Sequence, residues 1–278
     1  MTTTTRQLDE LLADVRTITV LTGAGVSTGS GIPDYRDRDG EWKHAPPMQY
    51  AEFSGSDEAR RHYWARSYVG WQRFGKARPN AAHVALAGLE AAGRIDTVIT
   101  QNVDRLHSRA GSRNVIDLHG DLSRVRCIDC DDLSPRHRFQ HDLRDANPDW
   151  HAHVSGCRPD GDVELTASGH DEFRVPGCRK CGGRIKPDVV MFGESVPRQR
   201  VEAAMSAVDR TDALLVVGSS LMVFSGFRFA RHAHETGKPI AIVNQGKTRA
   251  DDIAAVKVEA DCGELLSRLD EQHLAGGV

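Results

Sequence analysis

The chain lacks the features that mark membrane, secreted and nucleic-acid-binding proteins. Its 278 residues contain no apolar run close to the ~20 residues that a bilayer-spanning helix needs. The formal net charge is only −3, so no general electrostatic attraction to nucleic acid or to an anionic membrane is expected. The N-terminus has no cationic head followed by an apolar stretch, and its acidic residues are unlike a transit peptide. We therefore expect neither a membrane nor a nucleic acid as a direct partner.

Cysteine is also scarce, but four of the six cysteines form two Cys-x-x-Cys pairs, Cys127 with Cys130 and Cys178 with Cys181. Two intervening residues let both sulfurs of a pair reach one ion, and four thiolates complete a tetrahedral zinc site. Such an ion has no open position for a substrate, so its predicted role is structural. The alternative is two redox motifs, but neither pair lies where a strand leads into a helix. Zinc thiolates need reduced cysteines, which favours a cytoplasmic location.

Short β-branched strands alternate with helical patterns along most of the chain. Strands are predicted at 17–21, 97–99, 214–217, 240–243 and 255–258. Helices are predicted at 6–15, 80–92, 198–209 and 226–236, with Asn80 as a cap and Gly93 and Gly237 as stops. This alternation indicates an α/β protein with a Rossmann-like parallel sheet covered by helices on both faces.

Two stretches interrupt the alternation. Residues 37–79 are rich in aromatic and charged side chains and resemble a helical insertion, whereas residues 124–187 carry the four paired cysteines. We expect these two insertions to form one smaller zinc-binding and helical domain. The remaining segments, 1–36, 80–123 and 188–278, would then form a nucleotide-binding domain.

The first strand leads into a glycine-rich segment, Gly23-Ala24-Gly25-Val26-Ser27-Thr28. A glycine-rich turn after the first strand lets backbone N–H groups approach a pyrophosphate. Thr28 occupies the place of the third glycine of the dehydrogenase fingerprint, and no acidic residue clearly ends a second strand about 20 residues later. The segment therefore predicts dinucleotide binding without hydride transfer, and the alternative is a simple tight turn.

Polar residues follow several of the predicted strands. They are Gln101-Asn102-Val103-Asp104, His119, Gly218-Ser219-Ser220, Asn244-Gln245-Gly246 and Cys262. Ligands of open α/β sheets bind beyond the carboxyl ends of the strands, which is where these residues fall. Asn102 or Asp104 could instead cap a helix, and the small loops could be turns. His119 could act as a general base near neutral pH, and His107 competes on the same grounds.

Together these motifs resemble the sirtuin family. The matching segments run in order across residues 18–265: Gly23–Arg36, Gln101–Asp104 with His107, His119-Gly120, the two cysteine pairs, Lys186–Glu194, Gly218–Leu221 and Asn244. Three further stretches, Tyr63–Trp71, Pro159–Val163 and Val223–Gly226, are similar to the class II, mitochondrial-type branch.

The resemblance implies NAD-dependent removal of acyl groups from protein lysine, with acyl-lysine proteins or peptides as partners. It also implies that the acyl oxygen attacks C1′ of the nicotinamide ribose and that nicotinamide leaves. His119 would then deprotonate a ribose hydroxyl, giving free lysine and O-acyl-ADP-ribose. Asn102 and Asp104 would orient the ribose and the carboxamide, so that His119, Asn102 and Asp104 form the catalytic set.

Further roles follow from the same resemblance. The loop that closes over NAD would contain Ala24, Asp34, Tyr35 and Arg36. Val190 and Phe192 would line the acyl-lysine tunnel. A substrate peptide would add as a strand between two edges, which match Gly193-Glu194 and the segment from Leu221 to Val223.

The chain also departs from the family pattern. Tyr35 replaces the usual phenylalanine, Ser219 the usual threonine, and Ser225-Gly226 a proline-containing stretch. These changes leave the NAD chemistry intact and put the peptide preference in question.

The preferred acyl group rests on a separate pattern. Tyr63 and Arg66 lie about one helical turn apart, and the same spacing holds carboxylated acyl chains in some sirtuins. A succinyl- or glutaryl-type lysine is therefore one expectation. The alternative is that Arg66 pairs with an acid such as Asp57 or Glu58.

Three other functions use the same residues. The first is a protein mono-ADP-ribosyltransferase with the same NAD site, and the second is a weakly active NAD or acyl sensor. The third, a nicotinamide dehydrogenase, is disfavoured by the glycine pattern.

Overall fold

The computed structural model describes residues 2–43, 45–151, 154–157, 163–165 and 170–275. Its strands are β1 (Ile18–Thr22), β2 (Ile95–Thr100), β3 (Val115–Asp117), β4 (Gly120–Cys127), β5 (Leu133–Pro135), β6 (Val154–Cys157), β7 (Val163–Leu165), β8 (Ile185–Val189), β9 (Ala213–Val217), β10 (Ile240–Val243) and β11 (Val256–Val258). Its α-helices are α1 (Thr3–Ala13), α2 (Tyr50–Gly55), α3 (Asp57–Phe74), α4 (Ala81–Ala91), α5 (Leu106–Ala110), α6 (Arg136–Ala146), α7 (Arg198–Arg210), α8 (Phe224–Glu235) and α9 (Cys262–Ala275). Most of the stretch Pro159–Val163 lies outside the described residues.

The central sheet has six parallel strands in the order β11-β10-β9-β1-β2-β3. Successive side chains of these strands enter two separate hydrophobic clusters, because strand side chains alternate between the faces of a sheet. Val20 and Leu215 belong to one cluster, whereas Leu21 and Leu214 belong to the other. Both faces are therefore buried by helices, and the predicted Rossmann-like α/β fold is confirmed.

The helix boundaries follow local capping chemistry. The Asn80 side chain accepts hydrogen bonds from the backbone N–H groups of Ala82 and His83, which confirms the predicted cap of α4. Helix α1 begins earlier than predicted because the Thr2 hydroxyl accepts a bond from Thr5 N. Gly237, with φ of +73°, follows α8 in the left-handed region that favours glycine.

The two insertions contribute to one hydrophobic cluster. Phe53 and Trp64 come from the first insertion, and Val125, Phe139 and Ile185 come from the second. Strand β4 pairs antiparallel with both β5 and β8 in this part of the molecule. The shared cluster supports the proposed small domain, although the proposed boundaries near residues 123 and 187 fall inside β4 and β8, which join its two parts.

No helix in the described part of the chain is long and apolar enough to cross a bilayer.

Candidate active site and metal site

A cleft of about 510 Å³ lies at the carboxyl ends of the central strands. Its volume falls within the range of small-molecule sites. The predicted cofactor residues that line it are Gly23, Ala24, Gly25, Ser27, Asp34, Tyr35, Arg36, Gln101, Asn102, Val103, Asp104, Gly218, Ser219, Ser220, Asn244 and Gln245. These residues follow β1, β2, β9 and β10, because parallel strands deliver their carboxyl ends to one edge of the sheet.

Three other predicted cofactor residues are not among the described residues that line the cleft. The Thr28 hydroxyl turns back and donates to Gly25 O at 2.9 Å. Gly246 lies against the backbone of Arg38, where an added Cβ would be 2.4 Å from the carbonyl oxygen. The Cys262 thiol points toward Val243 O at 3.9 Å, and burial raises its pKa to about 12.

Two glycine segments cross closely at the bottom of the cleft. Gly25 N donates to Gly218 O at 2.8 Å, and a Cβ on Gly25 would lie at the same distance from that oxygen. A Cβ on Gly218 would lie 2.3 Å from Val26 N, and Gly218 has a φ of +59°. Side chains are therefore excluded at this crossing, as they are in glycine-rich turns that approach a pyrophosphate.

A hydrogen-bond network joins the turn after β1 to the loop after β2. The Asn102 amide donates to Gly23 O and to the Ser27 hydroxyl, both at 3.0 Å. The Ser27 hydroxyl donates to Asp104 at 2.7 Å, and the other Asp104 oxygen accepts from Leu106 N. Burial raises the pKa of Asp104, and these bonds partly offset the effect. Asp104 thus both bonds the first residue of α5 and lines the cleft.

His119 lies in the cleft with one defined tautomer. Its Nδ1 is 3.0 Å from Gln101 O, and a carbonyl oxygen can only accept, so Nδ1 carries the proton. Its Nε2 is 2.8 Å from the Ser225 hydroxyl, which therefore donates to the Nε2 lone pair. Burial lowers the pKa of His119 to about 4, with smaller contributions from the charges of Arg200 and Arg228. The imidazole is consequently neutral near pH 7.

His107 is placed differently. Its Nε2 is 2.9 Å from the Thr22 hydroxyl inside the core, and its ring lies 4.7 Å from that of His83. Burial lowers the pKa of His107 to about 3. It is not among the described residues that line the cleft, so of the two histidines only His119 is placed to meet a ligand there.

The predicted substrate residues form another part of the cleft wall. Those that line it are Tyr63, Val190, Phe192, Gly193, Glu194, Leu221 and Val223. The Tyr35 ring meets Trp42 at 6.0 Å and Phe192 at 6.3 Å between centroids, and Trp42 meets Phe192 at 5.8 Å. All three rings line the cleft and give part of its wall an apolar surface. From the sequence, Trp42 was assigned only to the aromatic-rich insertion. Its position in the cleft wall was not predicted.

The Tyr63 and Arg66 side chains differ in position. Tyr63 is buried against Phe53, with ring centroids 5.2 Å apart, and reaches the cleft. Arg66 is half-buried on the same helix and is not among the described cleft residues. Asp57, one of the acids considered as a partner for Arg66, forms an ion pair with Arg60. Glu194, a residue of the predicted peptide edge, forms an ion pair with Lys186, with 2.6 Å between a carboxylate oxygen and Nζ.

The four paired cysteines converge in the small domain, with their sulfur atoms all within 4.8 Å of one another. Cys127 and Cys181 are 3.6 Å apart, and Cys130 and Cys178 are 3.8 Å apart. Zinc–sulfur bonds of about 2.3 Å in a tetrahedron give sulfur–sulfur distances of about 3.8 Å. A disulfide would need about 2.05 Å. The four cysteines therefore fit a structural zinc site and not two disulfides.

Comparison with known proteins agrees with this geometry. The model of the Sir2 family matches residues 23–225, which is more than half of the chain. The chain is 56% identical over 250 residues to an NAD-dependent protein deacetylase of Bordetella bronchiseptica, covering 90% of this chain and 91% of the relative. It is 46% identical to the NAD-dependent protein deacylase Sirt4 of Drosophila melanogaster, covering 95% and 86% of the two chains.

Solved structures show the same similarity. A structure described as the basis for the mechanism and regulation of Sir2 enzymes superposes with a TM-score of 0.78 at 34% identity, and 99% of each chain is covered. A complex of Sir2 with a p53 peptide and NAD⁺ gives a TM-score of 0.74 at 32% identity, over 97% of this chain and 98% of the other. The chain therefore belongs to the Sir2 family.

Proposed function

We propose that the protein uses NAD to remove acyl groups from lysine side chains of proteins or peptides. The observation that carries this proposal is the neutral His119, whose Nε2 meets the cleft-lining Ser225 at 2.8 Å. The Bordetella relative is an NAD-dependent protein deacetylase, and a similar Sir2 structure contains a peptide and NAD⁺. Both findings support the same reaction for this chain.

The cleft residues fit NAD. The crossing of Gly25 and Gly218 excludes side chains, as do the glycine-rich turns that bind a pyrophosphate. Asn102 and Asp104 would hold hydroxyl and amide groups of the cofactor, since Ser27 fixes both side chains. When bound, NAD supplies the ribose carbon that accepts the acyl oxygen and the nicotinamide that leaves.

We propose that His119 is the general base. Its Nδ1–H bond to Gln101 O fixes the ring so that the Nε2 lone pair can take a proton from a hydroxyl. The low pKa, about 4, keeps that lone pair free of protons at neutral pH. A ribose hydroxyl would replace or extend the bond from Ser225. The trio of Tyr35, Trp42 and Phe192 would exclude water from this side of the cleft.

The acyl preference remains a prediction. Tyr63 lines the cleft, whereas Arg66, on the same helix, is not among the described residues that line it. Comparing kcat/KM on matched acetyl- and succinyl-lysine peptides decides the question. If Arg66→Met leaves the succinyl rate unchanged, or acetyl is clearly preferred, the prediction is wrong. We also propose a reducing compartment such as the cytoplasm, since zinc thiolates must stay reduced.

One incubation tests the main proposal. The protein is mixed with NAD and an acetyl-lysine peptide, and nicotinamide release and peptide mass are followed together. Deacylation predicts one nicotinamide for each acetyl group lost, with His119→Ala as the inactive control. A gain of ADP-ribose mass on a protein would indicate ADP-ribosyl transfer instead, and no turnover would leave only a binding role.

A further inference from the structure

An exposed aromatic surface lies at the mouth of the cleft. Val223 is 36% exposed and Phe224 is 43% exposed, and they are two of only four large hydrophobic side chains that are exposed in the described part of the chain. Both also line the cleft. They adjoin Leu221, where the predicted peptide-binding edge begins. Exposed apolar surface at such a place favours a contact with the substrate itself.

Three arginines surround this aromatic side chain. The guanidinium carbons of Arg228, Arg231 and Arg249 lie 5.1, 5.3 and 5.9 Å from the centre of the Phe224 ring. Arg249 also lies 4.4 Å from the ring of Phe227. Cation–π contacts at these distances hold the guanidinium groups near the surface without neutralising them. We call Val223, Phe224, Arg228, Arg231 and Arg249 the basic-aromatic patch.

The charge of the basic-aromatic patch is mostly uncompensated. Arg231 pairs with Glu235 at 3.5 Å, and this is the only ion pair that the described residues provide to the three arginines. The chain as a whole carries a net charge of −3, so this cluster is opposite in sign to the protein. Arg228 also lines the cleft itself.

The basic-aromatic patch is fixed to the predicted peptide edge. Arg249 N donates to Ser220 O at 2.9 Å, and the Arg249 guanidinium lies 3.5 Å from Met222 O. Leu221 between them has a φ of +55°, so this loop has a defined and unusual backbone. A peptide that adds along this edge would therefore carry its neighbouring side chains past the arginines.

We propose that the basic-aromatic patch is a substrate subsite for acidic side chains, aspartate or glutamate, that flank the acyl-lysine. This inference rests on the proposed deacylase function. Guanidinium groups form charge-assisted bonds with carboxylates, and the exposed Phe224 ring offers an apolar contact to the same side chain. A typical exposed ion pair contributes about threefold in affinity, so two arginines should favour an acidic flank by about tenfold over a basic one.

The test compares acetyl-lysine peptides that differ only in their flanking residues, which are glutamate, glutamine or lysine. We expect kcat/KM to fall in that order by about tenfold overall, mainly through KM, and the difference to shrink in high salt. The variant Arg231→Gln/Arg249→Gln should lose most of the difference. Arg113→Gln is the matched control, since Arg113 is exposed and precedes β3 at the opposite edge of the sheet. It should behave like the wild type.

Peptide binding without NAD separates this inference from the proposed function. Fluorescence anisotropy with the same peptides should show the same order of affinities, even if no peptide is turned over. If glutamate and lysine peptides bind within twofold of each other, the subsite does not exist. The same conclusion follows if the double variant keeps the full preference, or if Arg113→Gln loses it equally. Binding without turnover would instead overturn the deacylase proposal alone.

Discussion

Lowering the pH from 8 to 5.5 tests whether His119 is a buried neutral base. Its pKa is lowered to about 4, chiefly by burial. With that value, roughly 97% of the imidazole stays neutral at pH 5.5. A histidine with the ordinary pKa near 6.5 would be only about one-tenth neutral at the same pH. The buried base therefore predicts little loss of kcat/KM from this group, whereas an ordinary histidine predicts a loss of about tenfold.

The appropriate quantity is kcat/KM, because its pH dependence reports ionisation of the free enzyme. Nicotinamide release and deacetylation of a peptide with neutral flanks are measured at half-unit intervals, so that the charge of the substrate does not change. Bound zinc is measured at each pH, to show that the four-cysteine site remains loaded. An acid limb centred near pH 6.5 in zinc-loaded protein would refute the assignment of His119 as a buried neutral base.

Three further predictions concern single side chains. Cys130→Ser should lose stoichiometric zinc, solubility and activity together, whereas Cys262→Ser should keep its zinc; metal analysis of both variants checks this. His119→Ala should lower kcat by ~10²–10⁴-fold with most NAD affinity intact, and His107→Ala should be milder, as steady-state kinetics and NAD titration will show. Ser225→Ala removes one hydrogen bond to the base, so kcat should change by up to about tenfold with little effect on NAD binding.

Contrary results would be informative in each case. Well-folded protein without zinc would show that the fold does not need a metal bound by the four cysteines. Equal losses in the two histidine variants would contradict the separation of the cleft histidine from the core histidine. For the serine variant, an unchanged pH profile and an unchanged kcat would show that its hydroxyl is a spectator.

The fold could be predicted because its signals are local. Side chains of β9 alternate between two faces, and both faces are apolar in the sequence. Asn80 and Gly93 mark the ends of α4 by capping chemistry that requires only neighbouring residues. The cysteine cluster that fits zinc was predictable for the same reason, since the spacing within each pair restricts the geometry of both sulfurs.

The site was less predictable where contacts join distant segments. Ser225 and His119 are hydrogen-bonded although they lie 106 residues apart in the chain, and no spacing rule connects them. In the sequence, Ser225 stood out only as a departure from the family pattern, and its contact with His119 was not predicted. Conversely, Thr28 and Cys262 follow the correct strands but turn away from the cleft, because sequence position fixes the loop and not the direction of a side chain.

The position of the zinc site explains why a metal without an open coordination position should affect activity. Strand β4 begins at Gly120, directly after His119, and ends at Cys127. The same strand pairs with β8, and Val190 N just beyond β8 donates to His119 O at 2.8 Å. Gly120 has a φ of +93°, and a Cβ there would lie 2.2 Å from Asp188 O, so the two strands are in close contact beside His119. We expect loss of the zinc to release the far end of β4, so that His119, the proposed general base, is held less firmly in its orientation.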